Sequence, residues 1–538
     1  METLVWIALV LLIIIFLIYR WSIACYDYFE KRNILYVKPY PFFGGLWPVF
    51  CRKLHPTDAT IMGYNMFPER RCSGLFTFRN PAYLIHDPTL AKQIMVKDFD
   101  HFTDHMNTIS ADVDPILGRA LFFMGGSRWR HGRAGLSPAF TGSKMRNMFV
   151  LLSKHVDEAM RRLVEDAGEG ALEVEIRELF QKLGNDITTS ISFGVEVDSV
   201  HNPGNTFLEM GKLLIATSAF QGFKYLLSLV VPESVFKFFG VRFFPKEAAD
   251  FYLDIVTETI SHREKNKIVR PDFIQLFVQA RKNELKKDNT DDNFKSAGFT
   301  TVDEYIESST ENGQYTDLDI AAVALSFFFG GIETTTTAIC FAVYEIVLNA
   351  TIKEKLQTEI DSVKEGLEGR PLSYEILQQM KYLDMVVSEA LRRWPPVGVT
   401  NRACVKTYAF EENDGTTVTI EEGQVVHIPV QSFHRDSNYF PDPLRFDPER
   451  FSDENKHVIN QDAFLPFGSG PRNCVGSRLA LMQAKCILYY FFCTLFDGLF
   501  QQNGPTDQTQ DYVSLLRSAE WFVVSFDAEH GKVVKYKK

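Results

Sequence analysis

The run Phe467–Gly476 (FGSGPRNCVG) constrains this chain more than any other. It sets three glycines, a proline and a cysteine directly ahead of an apolar run with helical spacing. At roughly 5% usage per position, the six defining positions would coincide about once in 10⁵ chains. Gly468 and Gly470 begin a G-x-G-x-x-G pattern, but Asn473 stands at its last position and no βαβ unit surrounds it. A dinucleotide loop is therefore excluded. Cys474 sits just before a helix, where backbone N–H groups and the helix dipole favour a thiolate. Glycines on either side let the backbone pass close to a flat macrocycle, where a Cβ would collide. Arg472 can answer an acidic group on its edge. The pattern suits a thiolate ligand to haem iron better than the usual fate of a cysteine, a buried inert thiol.

A second segment, Gly330-Gly331-Ile332-Glu333-Thr334-Thr335, lies inside a long apolar helical run. Two glycines in a helix cost about 1 kcal/mol each relative to alanine. Tight helix–helix packing would explain an isolated pair. The neighbouring acid and alcohol favour instead a locally opened helix where dioxygen sits. The run Thr334–Thr337 leaves open which hydroxyl serves. In Glu389-Ala390-Leu391-Arg392 the acid and base are three apart on one helical face and can pair. Trp129 and Arg133 are four apart on another.

The N-terminal Thr3–Tyr19 is 17 residues without a charge. As a helix it spans ~26 Å, near the ~27 Å hydrocarbon layer of the endoplasmic reticulum. A cleaved signal peptide is the competing reading. No basic region precedes the segment and no small-residue cleavage site follows it. Arg20, Lys31 and Arg32 follow it, which predicts an uncleaved anchor with the bulk of the chain in the cytoplasm. Of 538 residues, 57 are basic and 68 acidic, a net charge of −11. That balance argues against nucleic acid as a partner, since phosphate binding needs a basic footprint. Eight cysteines without a C-x-x-C pair make neither a disulfide framework nor a zinc ribbon. Helical patterns dominate, at 145–166, 248–267, 317–349, 352–366 and 373–394. Short β-rich runs stand at 73–78 and 416–420. The polar stretch 283–315 reads as a surface loop. The apolar run Phe220–Phe244, broken by Pro232 and Gly240, reads equally as buried core or as a surface dipping into a membrane.

With these motifs in this order, the chain resembles the cytochrome P450 haem-thiolate monooxygenases, nearest to insect microsomal members of the clan that includes the vertebrate 3A subfamily. FFFGGIETT, SEALRRWPP and the region around Trp129 carry the closer likeness. Gly330 stands where alanine is more usual, and the hinge has fewer prolines than the common form. The resemblance implies a mostly α fold with a small β region around one buried haem b. Residues 1–20 would be the transmembrane anchor, 21–50 a Pro/Gly connector and 51–538 the catalytic domain. Cys474 would ligate the iron, with Phe467, Gly470, Arg472, Gly476 and Gly330 around the cofactor and Trp129, Arg133 and Arg402 at its propionates. Glu333 and Thr334 would deliver protons. Glu389, Arg392 and Arg450 would form a buried structural cluster. Candidates for the substrate pocket are Phe102, Ile109, Phe122, Phe123, Phe327, Phe328, Val397 and Val399.

The same likeness implies electrons from NADPH through cytochrome P450 reductase, with cytochrome b5 as an optional donor, and a place at the endoplasmic reticulum. One atom of dioxygen would enter a C–H or π bond of an apolar molecule: a plant toxin, an insecticide, a terpenoid or a fatty acid. Arg128, Arg130, Lys144 and Arg146 form a basic patch, read either as a solvated face or as a dock for an acidic electron donor. Two rivals remain: a haem-thiolate isomerase or dehydratase needing no reductase, and a non-catalytic carrier or sensor of apolar ligands.

Overall fold

The structure is a computed structural model. It describes residues 2–499 except 52, 107, 168–172, 216–223, 225–226, 229–230, 283–298 and 301–314, and beyond these 523–527 and 532–533. Most of the surface loop expected over 283–315 and part of the run 220–244 thus lie outside the described residues; of that loop Thr300 is buried against Ser388 and Phe299 packs on Phe451 and Phe464.

Helical periodicity folds as read, with ends shifted by a few residues. The helices that build the site are α1 (Gly126–Leu136), α2 (Gly142–Ala167), α3 (Ile176–Phe193), α4 (Lys246–Asn266), α5 (Asp317–Leu348), α6 (Ala350–Leu367), α7 (Lys381–Arg393) and α8 (Ser477–Leu499). A capping box starts α5: Thr316 and Asp319 bond reciprocally to each other's backbone N–H. Among the described residues, two helices are long and apolar enough to cross a membrane. The N-terminal one, Thr3–Ile23, is exposed from Thr3 to Trp21, whereas α5 is half-buried against α3, α4, α7 and α8 and is a core helix.

The single helix expected over 373–394 is two. Met380 is extended (φ −71°, ψ 92°), separating Tyr374–Gln379 from α7. Glu359 of α6 explains the break. Its carboxylate accepts the Tyr382 and Leu383 N–H groups at 2.8 Å each, capping α7 from a neighbouring helix.

The β region is small. β1 (Cys72–Thr77) and β2 (Asn80–Ile85) form an antiparallel hairpin. β3 (Glu173–Glu175) pairs with β8 (Val523–Asp527), which pairs with β9 (Lys532–Val533). β4 (Thr400–Ala403) and β7 (Val425–Ile428) complete the first sheet in the order β1-β2-β7-β4, with β2 parallel to β7. β5 (Tyr408–Glu411) and β6 (Thr417–Ile420) make a separate hairpin. The segment expected as a connector does not hang free between anchor and domain. Phe29 has no exposed surface and stacks between Tyr36, Phe76 and Tyr83, and Tyr36 bridges to Gly74 of β1. Packing of the catalytic unit therefore starts before residue 51, because this aromatic-rich segment can bury its rings on the sheet.

One buried network joins the helical core to the cysteine loop. Glu389 and Arg392 of α7 have no exposed surface and pair bidentately, at 2.6 and 2.8 Å. Arg450 approaches Glu389 at 3.6 Å, and the Asp447 N–H donates to it at 2.9 Å. Arg392 also donates to the His434 carbonyl at 2.7 Å. The His434 ring then spans the gap to the loop: Nδ1–H donates to the Arg392 carbonyl at 3.1 Å, and Nε2 accepts the Leu465 N–H at 2.8 Å. Those bonds require a neutral imidazole, and burial, with the charge of Arg392, holds its pKa down at about 3.

Breaking a buried pair strands the surviving charge, at a cost of about 3–5 kcal/mol. Glu389→Ala or Arg392→Ala is therefore expected to abolish recovery of folded protein or to lower its denaturation midpoint severely. A loss below about 1 kcal/mol, the range of an exposed pair, would overturn the buried-network reading. His434 makes a pH prediction. Its pKa falls from 6.5 unfolded to about 3 folded, so the unfolded chain takes the extra proton. Its contribution is complete above about pH 6.5 and is lost as the pH falls toward the folded value. His434→Gln should flatten the decline of the urea midpoint between about pH 6.5 and pH 5; an unchanged slope would contradict it.

Candidate active site

Glycine geometry shapes the loop that carries Cys474. Gly468 and Gly470 adopt φ of +72° and +73°. A Cβ on Gly470 would lie 2.0 Å from the Met95 carbonyl oxygen, so only glycine fits there. The loop closes on itself through Cys474 N–H to the Phe467 carbonyl at 2.9 Å, with Phe467 anchored against the helical core. Cys474 presents accessible surface although it lies deep in the protein. Burial pushes its thiol pKa up, while the Gly476 N–H and the charge of Arg133 pull the other way.

Beside the loop the chain buries positive charge. Trp129, Arg133 and Leu136 form the buried face of α1. Arg133 donates to Asn473 at its carbonyl (3.2 Å) and its side-chain oxygen (2.5 Å). Arg472 stacks on Trp129 at 4.1 Å and donates to the Thr103 and Met124 carbonyls, both at 2.7 Å. Arg402 of β4 is also fully buried. Asp104 is the carboxylate that meets Arg472, at 3.3 Å. Among the described residues, Arg402 Nε and Arg472 Nη1 are buried without a hydrogen-bond partner. Desolvation drags Arg402 down to about 10 and Arg472 to about 9, the latter against the pull of Asp104 and with Arg402 and Arg133 adding to the fall. His105, on the Asn401 carbonyl at 3.0 Å, is pushed well below its usual value by burial and then by Arg402 and Arg472. Such a concentration of desolvated cation calls for an anion. The propionates of a haem answer it, and an accessible thiol answers the iron. Arg133, Arg402 and Arg472 would hold the acidic edge, and Cys474 the metal.

The middle of α5 supplies the other wall. A Cβ at Gly330 or Gly331 would meet nothing within 4 Å, which removes helix–helix packing as the reason for these glycines. Gly330 and the preceding Phe329 are exposed, and Glu333, Thr334 and Thr337 partly so, giving an open stripe on a helix otherwise well buried. The helix is not interrupted there, contrary to expectation. The Thr334 hydroxyl instead donates back to the Gly330 carbonyl at 2.6 Å, a bond that competes with the helical ladder without breaking it. Of its neighbours, Thr335 and Thr336 are buried, and Thr336 donates to Phe180. Glu333 turns to α3, where Gln181 donates to it at 2.6 Å and Arg177 pairs with it at 3.2 Å. α8 packs on α5 close by, with Ile332, Thr336 and Gln483 all around Gly184.

The pocket candidates divide. Phe102 and Phe328 have no accessible surface, so they cannot line an opening: Phe102 packs on Tyr408, and Phe328 on Phe193 and Tyr252. Both are corrected to core residues. Phe327 stacks on Phe273 at 4.5 Å. Phe122 is exposed and stacks on His105, with Phe123 against it. Val397 is exposed and Val399 half-buried. Ile109 lines a cavity of about 190 Å³ under β1, β2 and the segment 228–243, with no cysteine-loop or α5 residue in its wall. Of the basic patch, Arg130 pairs with Asp100, Arg146 with Glu375, and Arg128 donates to the Gly118 carbonyl. Asp104, His105, Phe329, Asn473 and His434 were missed in the sequence, where only the place of Asn473 beside Cys474 could have pointed to one of them.

Comparison with known proteins agrees with this geometry. The cytochrome P450 family model matches residues 70–495. Cytochrome P450 9e2 of Blattella germanica is 39% identical over 498 residues, 90% of each chain. Probable cytochrome P450 9f2 of Drosophila melanogaster is 37% identical over 482 residues, covering 88% of this chain and 90% of the relative. Cytochrome P450 9b2 of the same fly is 37% identical over 488 residues, 90% and 91% of the two chains. With a family model over most of its length and insect relatives above 30% identity along nearly all of it, the chain belongs to the cytochrome P450 family and is a haem-thiolate monooxygenase.

Proposed function

We propose that this chain is a microsomal monooxygenase of apolar small molecules, xenobiotic or endogenous, fed with electrons from NADPH by a separate reductase, with cytochrome b5 as an optional second donor. The observation that carries the reading is the accessible thiol of Cys474, deep in the protein and flanked by buried arginines with unpartnered N–H groups. When bound, the haem supplies the redox and oxygen-transfer chemistry, and its thiolate ligand favours O–O cleavage. The protein binds it, orients it and manages protons. Gly330 and Gly331 keep the helix surface clear. The Thr334 hydroxyl holds its proton on the Gly330 carbonyl, one rotamer from the open face, and Glu333 links that position to Arg177 and Gln181.

Several features support the membrane reading. The anchor helix is fully exposed and followed by basic residues. Phe238 and Phe239 are 84% and 71% exposed at the end of the short helix Glu233–Phe238. Adjacent bare aromatics suit an interface of water and lipid, so the described part of 220–244 divides between the two readings: Phe238 and Phe239 suit a membrane surface, while Phe236, Phe243 and Phe244 are buried core. The basic residues after the anchor support a catalytic domain in the cytoplasm, and the length of the apolar run suits the endoplasmic reticulum. The cavity at Ile109 opens beside this segment and is read as the substrate's approach.

The ferrous–CO difference spectrum of the wild type should show the strongly red-shifted Soret band of a thiolate-ligated haem, and Cys474→Ala should lose it. A band like that of a histidine-ligated haem in the folded wild type would sink the assignment. Thr334→Ala is expected to keep oxidising NADPH in the presence of reductase while the share of reducing equivalents recovered as product falls severalfold. Undiminished coupling would remove the hydroxyl from the proton route. Turnover without reductase would favour the isomerase or dehydratase reading.

A further inference from the structure

The segments on either side of the cavity at Ile109 are far apart in sequence, and three polar ties hold them together. The Ser110 N–H donates to Glu233 at 2.8 Å. Asp112 pairs with Lys237 at 2.7 Å. Asp114 makes the third tie, of another kind. Its Oδ1 accepts the N–H groups of Ile116 and Leu117 at 3.1 and 3.0 Å, and its Oδ2 those of Phe243 and Phe244 at 3.0 and 3.1 Å. Asp114 is 2% exposed, and four backbone donors solvate its charge, with Lys224 near enough to interact with it electrostatically. Positions 110, 112 and 114 alternate along the segment and meet 233, 237 and 243–244 in the same order. Ile109 and Val113 on one side, and Glu233, Phe236 and Phe243 on the other, line the cavity wall. The two outer ties are exposed and worth little, whereas Asp114 is buried and charge-assisted.

We propose that Asp114 is a positioning residue that clasps the segments 110–117 and 243–244 across this cavity and thereby sets how fast apolar ligands enter and leave. The proposal rests on the cavity being the approach to the haem. Asparagine in place of Asp114 keeps the shape but turns one oxygen into a donor facing two N–H groups, so half of the clasp is lost.

The test uses the full-length holoprotein in lipid or detergent, comparing wild type with Asp114→Asn. Amide hydrogen exchange is followed in peptides covering 243–244. Stopped-flow Soret shifts report the binding of phenylimidazole, an azole that ligates haem iron. We expect exchange at 243–244 to accelerate at least tenfold. Association and dissociation should both quicken at least threefold, with the equilibrium constant within about twofold. A purely structural lesion would change affinity or haem content instead. Faster exchange with unchanged ligand rates would overturn the proposal, as would no change in either. The wild-type CO spectrum, recorded alongside, separates failure of the clasp from failure of the haem-thiolate reading. Where the variant does not retain haem, Asp114→Ser takes its place, since it removes the oxygen that accepts the Phe243 and Phe244 N–H groups. Ligand rates rising in that folded variant would support the proposal, and rates unchanged would overturn it.

Discussion

A sulfur that has to carry negative charge while buried is the constraint around which the molecule is arranged. Burial opposes the thiolate of Cys474, while the N–H of Gly476 and the charge of Arg133 favour it. Everything near the loop serves to keep the sulfur accessible to one ligand and closed to solvent. Gly470 lets the loop lie against the Met95 carbonyl, and the Cys474 N–H, bonded back to Phe467, stops the turn from opening.

The same logic governs the arginines. Arg402 and Arg472 are buried with N–H groups unpartnered, a state that costs stability until an anion arrives. Concentrating cations around a site meant for carboxylates converts part of the folding free energy into binding free energy for the cofactor. Asp104 offsets some of this by holding Arg472 at 3.3 Å and capping the Gly126 N–H at 2.8 Å. One carboxylate against three guanidinium groups leaves the balance positive, an imbalance that would suit a dianionic macrocycle.

How much of this could be read from the sequence depends on how local the cause is. The cysteine loop was legible because glycine spacing, a cysteine and a helix start are all local, and α5 because its apolar run is long. The charge pair Glu389–Arg392 was legible from its i,i+3 spacing, though its complete burial came only from resemblance. Phe102 and Phe328 were misplaced because an aromatic on the correct element can face either the opening or the core, and only packing decides. The break at Met380 was hidden because its cause, Glu359, sits on another helix. His434 and Asp114 left no signal at all, since each works by bonding backbone groups, which carry no sequence mark.

Those two residues show how the fold divides its rigidity. Beneath the haem site, Glu389, Arg392 and His434 lock α7 to the residue just ahead of the cysteine loop through bonds sealed from water. Such a chain has no low-energy alternative, because each broken link strands a charge or a buried polar group. Two of the described ties across the cavity at Ile109, an ion pair and a single hydrogen bond, are exposed and break and re-form readily. A fixed ligand geometry and a cover that can open ask for opposite stabilities. The chain meets both by burying its charged links on one side and leaving two of the described ties wet on the other, with the carboxylate of Asp114 as a buried link in the cover.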